Sequence, residues 1–489
     1  MKHEELALLN KEEIINLVLR LSKQYEELLV AFQQVQTHYE ALKSDHEALK
    51  FDYEALKSEY EALKVKIEQN QKPPTSSKNS SQPPSQDQKS NTSKDKARHR
   101  HGPPQGHVKH EREWVAHPDH VVDLRVKACH RCQADLQGVD GRLVKVNQIT
   151  ELPDPKAEVI EVRQYETRCP QCGQVQVKEP PAGLEMERTF GARLEATVVY
   201  YRQEQHMSYE RTQQALKNLH GVAMSQGGID HMMQRAKKQA LIAVKPIEAR
   251  VQQSAVINSD ETPFRVKGDN WWEWVFCTAT AVLHTIRFDR SEDVIKAVMG
   301  DNKAEVWGSD CYGAQLKAPA EQHQLCLSHQ IRNLQAVVDA APSLRWPKAM
   351  QFLFRQAVHW HNQRDQVSPD QFATQVARVE YQCDRLLQRT LAPPDARRLQ
   401  NRYLKHRQSL FVFLYRTDVE PTNNVCEQKL RPSAVHRKVI GCFRSEWGTQ
   451  AYAALASVID TAELSGISAF DAIQSLLGTP SLPIPMGGE

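Results

Sequence analysis

The sequence predicts a multidomain protein that begins with a long helix and ends in a mixed α/β domain. Three observations support this prediction: a seven-residue repeat in the first 70 residues, two Cys-x-x-Cys pairs, and an alternation of strand and helix patterns after residue 250. Because 489 residues are too many for one compact core, we expect several domains.

Residues 1–70 are predicted to form a coiled-coil oligomerisation helix. From Tyr39 onwards four consecutive seven-residue units read YEALKSD, HEALKFD, YEALKSE and YEALKVK, which places a leucine at each heptad position d. Acidic residues at position g are followed by lysines at position e, a pattern that favours two parallel copies of the chain: Asp45, Asp52 and Glu59, with Lys50, Lys57 and Lys64. The alternative is a single long helix that folds back on its own chain.

Residues 71–112 are predicted to be a disordered basic linker, because they are rich in Pro, Ser, Gln and Lys. Residues 1–70 carry 9 Lys and Arg against 14 Asp and Glu, whereas residues 71–110 carry 8 against 2. A basic segment of this kind is typical of a nucleic-acid partner or of a solvated tether, and charge alone does not distinguish the two.

Nothing in the sequence indicates a membrane span or a signal peptide, since no apolar run is long enough for either. We therefore predict a cytoplasmic protein. In that compartment the ten cysteines are not expected to form disulfides, so paired cysteines are interpreted first as metal ligands.

Residues 113–183 are predicted to form a zinc ribbon. Cys129 and Cys132 form one Cys-x-x-Cys pair, and Cys169 and Cys172 form a second pair beyond an alternating polar and β-branched segment. Tetrahedral Zn²⁺ needs four ligands, and each such turn presents two thiolates. The four cysteines therefore predict one structural Zn²⁺. A redox role is the alternative, which two pairs in a β-like context disfavour.

Residues 184–250 are predicted to form a helix-turn-helix-like DNA-binding domain. One helix pattern stops at Gly221, and a second begins after Ser225, a plausible cap. The second helix carries the basic residues that we expect to contact DNA: Arg235, Lys237 and Lys238. The alternative is a helical hairpin that only packs against its neighbours.

Residues 251–478 show three strand patterns, a helix, and then strand–helix alternation, which is the order of a ribonuclease-H-like α/β fold. A helical, strand-poor stretch at about 338–415 is interpreted as an all-α insertion. In such a fold the first and fourth strands are neighbours.

Two aspartates stand at the ends of these neighbouring strands: Asp260 ends the first strand and Asp310 ends the fourth. Carboxylates that face each other at one sheet edge stay ionised together only with cations between them, and Mg²⁺ prefers such oxygen ligands. Glu427, in a later helix, would complete a two-metal site of the kind that phosphodiester cleavage requires.

Glu427 also fits a purely structural interpretation, because an Asn three residues before a Glu is a capping-box signature. One side chain cannot serve both uses. We predict that metal ligation prevails, that Asn424 caps the helix without its partner, and that Pro432 kinks or stops the helix.

The whole constellation resembles the three-carboxylate (DDE) transposases of the insertion-sequence-66 type. The similar segments are SDETPF around Asp260, GSDCYGAQ around Asp310, HQLCLSHQIRNL after it, and NNVCEQKLRP around Glu427. The C-terminal RKVIGCFRSEWGTQAYAALASVIDTAELSGI and the paired cysteine turns are also similar, so the resemblance spans about residues 15–478. Thr422 stands where similar proteins often carry an Asp.

The resemblance implies a bacterial, nucleoid-associated enzyme that cleaves the ends of an insertion sequence and joins the 3′-OH to target DNA. It implies Mg²⁺ or Mn²⁺ held by Asp260, Asp310 and Glu427. Its partners would be the element ends, target DNA, a second copy of the chain through the coiled coil, and helper proteins of the same element. Two alternatives stay open: a zinc-containing DNA-binding regulator or inactive domesticated transposase, and a junction-cutting nuclease.

Several further residues are secondary candidates. Basic residues after Glu427 are expected to contact DNA phosphates, unless they form only a solvated basic face: Arg431, Arg437 and Lys438. Cys326-x-x-His329 is either half of another metal site or a support for the active site, and we favour the support. Glu261 is predicted to point to the sheet face opposite Asp260, and the tryptophans Trp271, Trp272 and Trp274 are predicted to pack rather than to stack on bases.

Overall fold

The computed structural model describes residues 11–71, 114–152, 156–180, 184 and 189–478, so the predicted basic linker lies outside the described residues apart from Gln71. The chain divides into two compact units, residues 1–87 with 334–348 and residues 88–333 with 349–489. None of the helices in the described ranges combines the length and the apolar character that crossing a membrane requires.

A single helix of 61 residues, α1 (Lys11–Gln71), covers most of the heptad repeat. Its apolar side chains at the heptad positions are exposed, and the leucines at position d, Leu28, Leu42, Leu49 and Leu56, are each 67–68% exposed. The side chains of Asp45, Asp52, Glu59, Leu63 and Lys64 lie outside the described part. One copy of the chain therefore leaves a long apolar stripe in contact with solvent.

The cysteine-rich segment contains one short antiparallel pair, β1 (Glu166–Arg168) and β2 (Val175–Val177), which flanks the second Cys-x-x-Cys pair. An isolated antiparallel bridge between Ala128 and Asp135 flanks the first pair in the same way.

Three helices follow: α2 (Ala192–Gln203), α3 (Tyr209–His220) and α4 (Gln226–Gln252). The predicted helix boundaries are confirmed, because Gly221 ends α3 with a φ of 68° and Ser225 Oγ accepts the Gly228 N–H at 3.1 Å. A small buried core joins the three helices: Val198, Leu216, Met224, Ile229 and Met232.

The central sheet has five strands in the order β5-β4-β3-β6-β7. Their bounds are β3 (Val256–Val266), β4 (Asp269–Cys277), β5 (Val282–Arg287), β6 (Ala304–Ser309) and β7 (Ala320–Leu325), with α5 (Glu292–Met299) after β5. The first three are antiparallel, whereas β6 and β7 run parallel to β3. The mixed α/β class is confirmed, and so is the prediction that the first and fourth of these strands are neighbours.

Both faces of the sheet are buried, since alternate residues of β4 point to opposite sides. Trp274 and Phe276 join a core with α5 and the end of α4. Val275 and Cys277 pack on the other side against Cys426 of α11 (Asn424–Ile440).

Between β7 and α11 the described residues form helices and no strand, as predicted for residues 338–415. These helices are α6 (Leu327–Ala340), α7 (Arg345–Asn362), α8 (Pro369–Leu387), α9 (Pro394–Lys405) and α10 (Val412–Tyr415). After α11 come α12 (Glu446–Glu463) and α13 (Ala469–Leu476). Of the predicted kink or stop at Pro432, the stop is wrong and the kink stays a prediction: α11 continues for eight residues beyond Pro432 to Ile440, because an exposed proline removes only one hydrogen bond of a helix held by packing.

Candidate active site

Asp260 and Asp310 lie next to each other where the pairing of β3 with β6 ends. Asp310 directly follows β6, as predicted, whereas the expectation that Asp260 ends its strand is wrong: β3 continues six residues beyond it to Val266, because it stays paired with β4. The β3–β6 register pairs Asn258 with Gly308, so two further residues along each chain bring Asp260 beside Asp310. Residue 308 is glycine, and the Asn258 side chain fills the space that a Cβ there would need. The predicted pairing of the two aspartates follows from this register.

The antiparallel register fixes the face on which each acidic residue lies. Asp260 is opposite Val275, so its side chain lies on the face of the sheet that α11 covers. Glu261 is opposite Trp274 and lies on the other face of the sheet. Glu261 bonds to Arg290 at 2.7 Å and to Gln315. Glu261 therefore lies on the face opposite Asp260, as predicted, and its carboxylate pairs with Arg290.

The carboxylate pair, Asp260 and Asp310, lacks such a partner. Burial raises the pKa of Asp260 well above its usual range, and the negative charges of Asp310, Glu261 and Glu427 raise it further. Among the described residues no Lys, Arg or His forms an ion pair with either aspartate. Each accepts only a neighbouring backbone N–H, from Glu261 at 2.9 Å and from Tyr312 at 2.8 Å.

The bond to Asp310 depends on an unusual backbone conformation at the next residue. Cys311 has a φ of 85°, a region that residues other than glycine rarely adopt. This conformation turns the Tyr312 N–H back towards Asp310 Oδ1. The strained residue directly follows a predicted ligand, a location where strain is commonly found in functional sites.

Glu427 lies in the first turn of α11 and does not reach back to the helix start. Its Oε1 is 2.9 Å from Arg332 Nη2 and 3.5 Å from His329 Nδ1. The expectation that Asn424 caps the helix is wrong: α11 begins at Asn424, so Asn423 takes the cap position, and its side chain makes no capping bond. The capping box is absent because Glu427 is then the fourth residue of the helix rather than the third. The Asn423 side chain bonds to a strand instead.

Asn423 connects three parts of the site. Its side-chain amide donates to the carbonyl of Ser259, the residue before Asp260, at 2.7 Å. Its backbone N–H donates to Cys326 Sγ at 3.1 Å. Asn423 is only 1% exposed, so these bonds are shielded from water and hold the start of α11 against β3.

Cys326, His329 and Glu427 come close together. Their ligand atoms lie within 4.8 Å of one another, and no other set of three or more His, Cys, Asp or Glu side chains in the described ranges is this compact. The ligand atoms of Asp260, Asp310 and Glu427 do not all lie within 4.8 Å of one another. The same holds for the sulfur atoms of the four predicted zinc ligands. Cys326 and His329, expected to support the active site, thus lie directly beside its third predicted ligand.

Each Cys-x-x-Cys pair forms the same hydrogen-bonded turn. The N–H of residue 133 donates to the Cys129 carbonyl and that of residue 173 to the Cys169 carbonyl, both at 2.9 Å. The pKa of the Cys129 thiol is lowered by backbone N–H groups of its turn, mainly that of Cys132. The pKa of the Cys169 thiol is lowered in the same way, mainly by the N–H of Cys172. Both turns therefore favour thiolates, the form that binds metals.

The predicted DNA-contacting residues of α11 differ in their surroundings. Arg431 and Lys438 are exposed. Arg437 instead donates to the Pro263 carbonyl and lies 5.8 Å from the centre of the Phe264 ring. Of the three on α4, Arg235 pairs with Glu195 at 3.0 Å, whereas Lys238 is exposed and Lys237 is half-buried.

The tryptophans pack within the protein. Trp274 is fully buried, and the Arg290 guanidinium lies 4.1 Å from the ring centre of Trp272. Trp271 contacts Phe288 edge to face.

A second acidic cluster lies on the same sheet face as Asp260, and we call it the His284 cluster: His284, Glu273, Asp460 and Lys429. His284 Nδ1 is 3.0 Å from Glu273, its Nε2 is 2.8 Å from Asp460, and Lys429 Nζ is 2.9 Å from Asp460. Burial opposes protonation, but the bonds to Asp460 and Glu273 outweigh it and raise the pKa of His284 to about 10. This cluster neutralises its own charge.

Sequence reasoning missed Arg332 and the bonds of Asn423. One signal for Arg332 was available, since His329 and Arg332 are three residues apart in a helix and therefore share a face. No local signal pointed to Asn423, whose strand partner is 164 positions earlier in the chain.

A family model described as "Transposase IS66 family" matches residues 187–451, which is more than half of the chain. The match includes all three predicted catalytic carboxylates and excludes α1 and the paired cysteines. No curated protein matches the chain.

Proposed function

Because the chain belongs to the IS66 family of transposases, we propose that it is a Mg²⁺-dependent DDE transposase that cleaves the ends of an insertion sequence and joins the 3′-OH to target DNA. The observation that carries the metal-dependent part of this proposal is the carboxylate pair. Asp260 and Asp310 stand side by side, half-buried or deeper, without a cationic side chain among the described residues.

The residues at this site fit a hard divalent cation. Carboxylate oxygens are the donors that Mg²⁺ and Mn²⁺ prefer, and buried carboxylates without a partner are costly unless a cation joins them. Asp260 and Asp310 would hold the ion, with Glu427 as the third ligand. When bound, two such ions activate the attacking oxygen and stabilise the leaving oxygen of a phosphodiester.

The chain's own groups orient these ligands. Backbone N–H groups fix one oxygen of each aspartate, and Asn423 holds the start of α11 next to the strand that carries Asp260. Arg332 fixes Oε1 of Glu427. Such supporting contacts set the geometry of a metal site as much as the ligands themselves do.

DNA binding is assigned to basic side chains near these elements. Arg431 is four residues after Glu427 and exposed, so it lies on the same helical face and is proposed to contact a phosphate, with Lys438 further along α11. Arg437 is proposed to contribute less to DNA binding, because its guanidinium already donates to the Pro263 carbonyl. The α3–turn–α4 hairpin is proposed as the DNA-reading helix-turn-helix, with Lys237 and Lys238 as its phosphate contacts and Arg235 bound to Glu195.

The N-terminal modules are proposed to assemble the complex. The exposed apolar stripe of α1 supports a parallel coiled-coil homodimer. The two equivalent cysteine turns support a zinc ribbon with Cys129, Cys132, Cys169 and Cys172 as ligands. With DNA as its substrate, the protein is expected at the bacterial nucleoid, and helper proteins of the same element are further candidate partners.

The test is a cleavage and joining assay with Mg²⁺ and labelled element ends. Wild type is compared with Asp260→Asn, Asp310→Asn and Glu427→Gln. The matched control is Asp301→Asn, which removes an exposed carboxylate before β6. We expect the three site variants to lose both steps and the control to keep them.

The other outcomes identify the alternatives. Joining at the wild-type level by Glu427→Gln would show that the three-carboxylate assignment is wrong. Cleavage without joining would indicate a junction-cutting nuclease, and specific DNA binding without cleavage by wild type would indicate a regulator or an inactive transposase.

A further inference from the structure

We propose that Cys326, His329 and Glu427 form a second metal site, which binds a borderline-soft ion such as Zn²⁺ and competes with the active site for Glu427. The site itself does not depend on the proposed function, whereas the competition rests on it.

The geometry is close to that of a three-ligand zinc site. Cys326 directly precedes α6, His329 lies in its first turn, and Glu427 approaches from the first turn of α11. All three ligand atoms lie within 4.8 Å of one another, and His329 Nδ1 is 3.5 Å from Glu427 Oε1. Ligand atoms around one tetrahedral Zn²⁺ lie roughly 3.3–3.8 Å apart, so only small side-chain movements are needed.

His329 supplies an observation that itself points to a ligand. His329 is 8% exposed, and its buried Nδ1 makes no hydrogen bond. This nitrogen faces Glu427 Oε1 at 3.5 Å, an arrangement suited to two ligands of one cation.

Cys326 is suited to become a metal thiolate. It is 2% exposed, and its Sγ already accepts the Asn423 N–H at 3.1 Å, a bond that stabilises negative charge on sulfur. Metals bind the thiolate form, so metal binding would release the Cys326 thiol proton to solvent. One sulfur, one nitrogen and one oxygen donor favour Zn²⁺ over Mg²⁺, which takes oxygen ligands.

Arg332 tunes this site. Its Nη2 is 2.9 Å from Glu427 Oε1, so its positive charge opposes a nearby cation while its hydrogen bond orients the ligand. Removal of the charge in Arg332→Gln should therefore tighten metal binding, by about tenfold or more. A purely structural Cys326–His329 pair would show no such effect.

The decisive experiment measures Co²⁺ absorption, since a thiolate–Co²⁺ charge-transfer band reports a cysteine ligand directly. The full-length chain carries Ser at the four ribbon cysteines, Cys129, Cys132, Cys169 and Cys172, so that the ribbon contributes no band. We expect a charge-transfer band of single-thiolate intensity and its displacement by Zn²⁺.

Two further substitutions test the assignment in that background. Cys326→Ser should abolish the band, and His329→Gln should weaken Co²⁺ binding at least about tenfold, with circular dichroism as the check on folding. Arg332→Gln is expected to raise the affinity for Co²⁺, and a misfolded protein could not show such an increase. Absence of the band in the parent chain, or its persistence in Cys326→Ser, would overturn the proposal.

The competition has its own measurement. Zn²⁺ should inhibit Mg²⁺-dependent joining by the wild type, and a higher Mg²⁺ concentration should reduce this inhibition. In His329→Gln, Zn²⁺ should inhibit less, when each protein is compared with its own rate of joining without Zn²⁺. Co²⁺ binding without zinc inhibition would remove the competition and keep the site. A wild type that never joins DNA would remove the proposed function and leave the Co²⁺ result standing.

Discussion

Two acidic clusters lie on the same face of the central sheet and differ in how their charge is balanced. Val275 of β4 is opposite Asp260 on one side and opposite His284 on the other. In the His284 cluster, His284 and Lys429 lie within 3.0 Å of the carboxylates they neutralise. Around Asp260 the other charges are negative.

The difference separates a structural use of buried charge from a functional one. A buried ion pair that is complete within the protein holds elements together, and in the His284 cluster it joins β4 and β5 to α11 and α12. A buried carboxylate pair that lacks a cation costs stability, which a bound divalent ion would restore. We expect substitutions in the two clusters to have opposite effects.

The largest expected effect is on catalysis by Asp310→Asn. Loss of a ligand should cost several kcal/mol of transition-state stabilisation, or about a thousandfold in the rate of joining. The metal-free variant should be at least as stable as the wild type, because one of two repelling charges is gone. Single-turnover joining and thermal unfolding in EDTA measure the two effects. Activity within tenfold of the wild type would contradict the assignment.

The opposite pattern is expected for His284→Leu. Glu273 and Asp460 would lose their buried cation, which should cost about 3–5 kcal/mol of unfolding free energy. At temperatures where the variant is folded, joining should stay within a few-fold of the wild type. Denaturant unfolding measures the loss, and a variant as stable as the wild type would show that the cluster is not structural.

Asn423→Ala should reveal the contact that connects the carboxylate-bearing strand to α11. The side-chain bond to Ser259 would be lost, whereas the backbone N–H can still donate to Cys326. We expect joining to fall about 10- to 100-fold through misplacement of Glu427. Asn424→Ala is the matched control, because Asn424 is exposed and makes no capping bond. Equal losses in the two variants would mean that the helix start, rather than Asn423, is what matters.

The His284 cluster should also make the stability of the protein depend on pH. The pKa of His284 is raised from 6.5 to about 10, so its stabilising contribution is fully present below pH 6.5 and is lost as the pH rises through about 10. Unfolding free energy measured between pH 6 and 10 should therefore fall more steeply for the wild type than for His284→Leu. Parallel profiles would rule out this titration.

The sequence located the parts of the site that depend on strand position and missed those that depend on tertiary contacts. Asp260 and Asp310 could be paired because each was expected at the end of one of two neighbouring strands. Asp310 does follow β6 directly, whereas Asp260 lies inside β3, which continues to Val266 through its pairing with β4. The two-residue period predicted which face each side chain occupies. The start of α11 was misplaced by one residue because the Asn423 side chain bonds to Ser259 rather than to the helix. Propensity and capping rules describe only neighbours along the chain.

The same limit applies to Glu427 and to α11 as a whole. Arg332 is 95 positions away from Glu427, so no local pattern could predict that pair. Pro432 predicted a kink or stop from local rules, whereas α11 continues to Ile440 with Cys426 and Leu430 buried against the sheet. In contrast, the heptad repeat predicted the long helix α1, because a repeated local pattern defines a helix by itself.

The most direct test of the account is whether Mg²⁺ stabilises the protein through the carboxylate pair. Thermal unfolding is followed without and with added Mg²⁺, in buffer free of chelator so that ribbon Zn²⁺ stays bound, for the wild type, Asp310→Asn and the control Asp301→Asn. At about 100 times the dissociation constant a bound ion adds roughly 2.7 kcal/mol, so we predict a clear rise in Tm for the wild type and the control and none for Asp310→Asn. An equal rise in all three proteins, or none in the wild type, would contradict the claim that this pair is completed by a divalent cation.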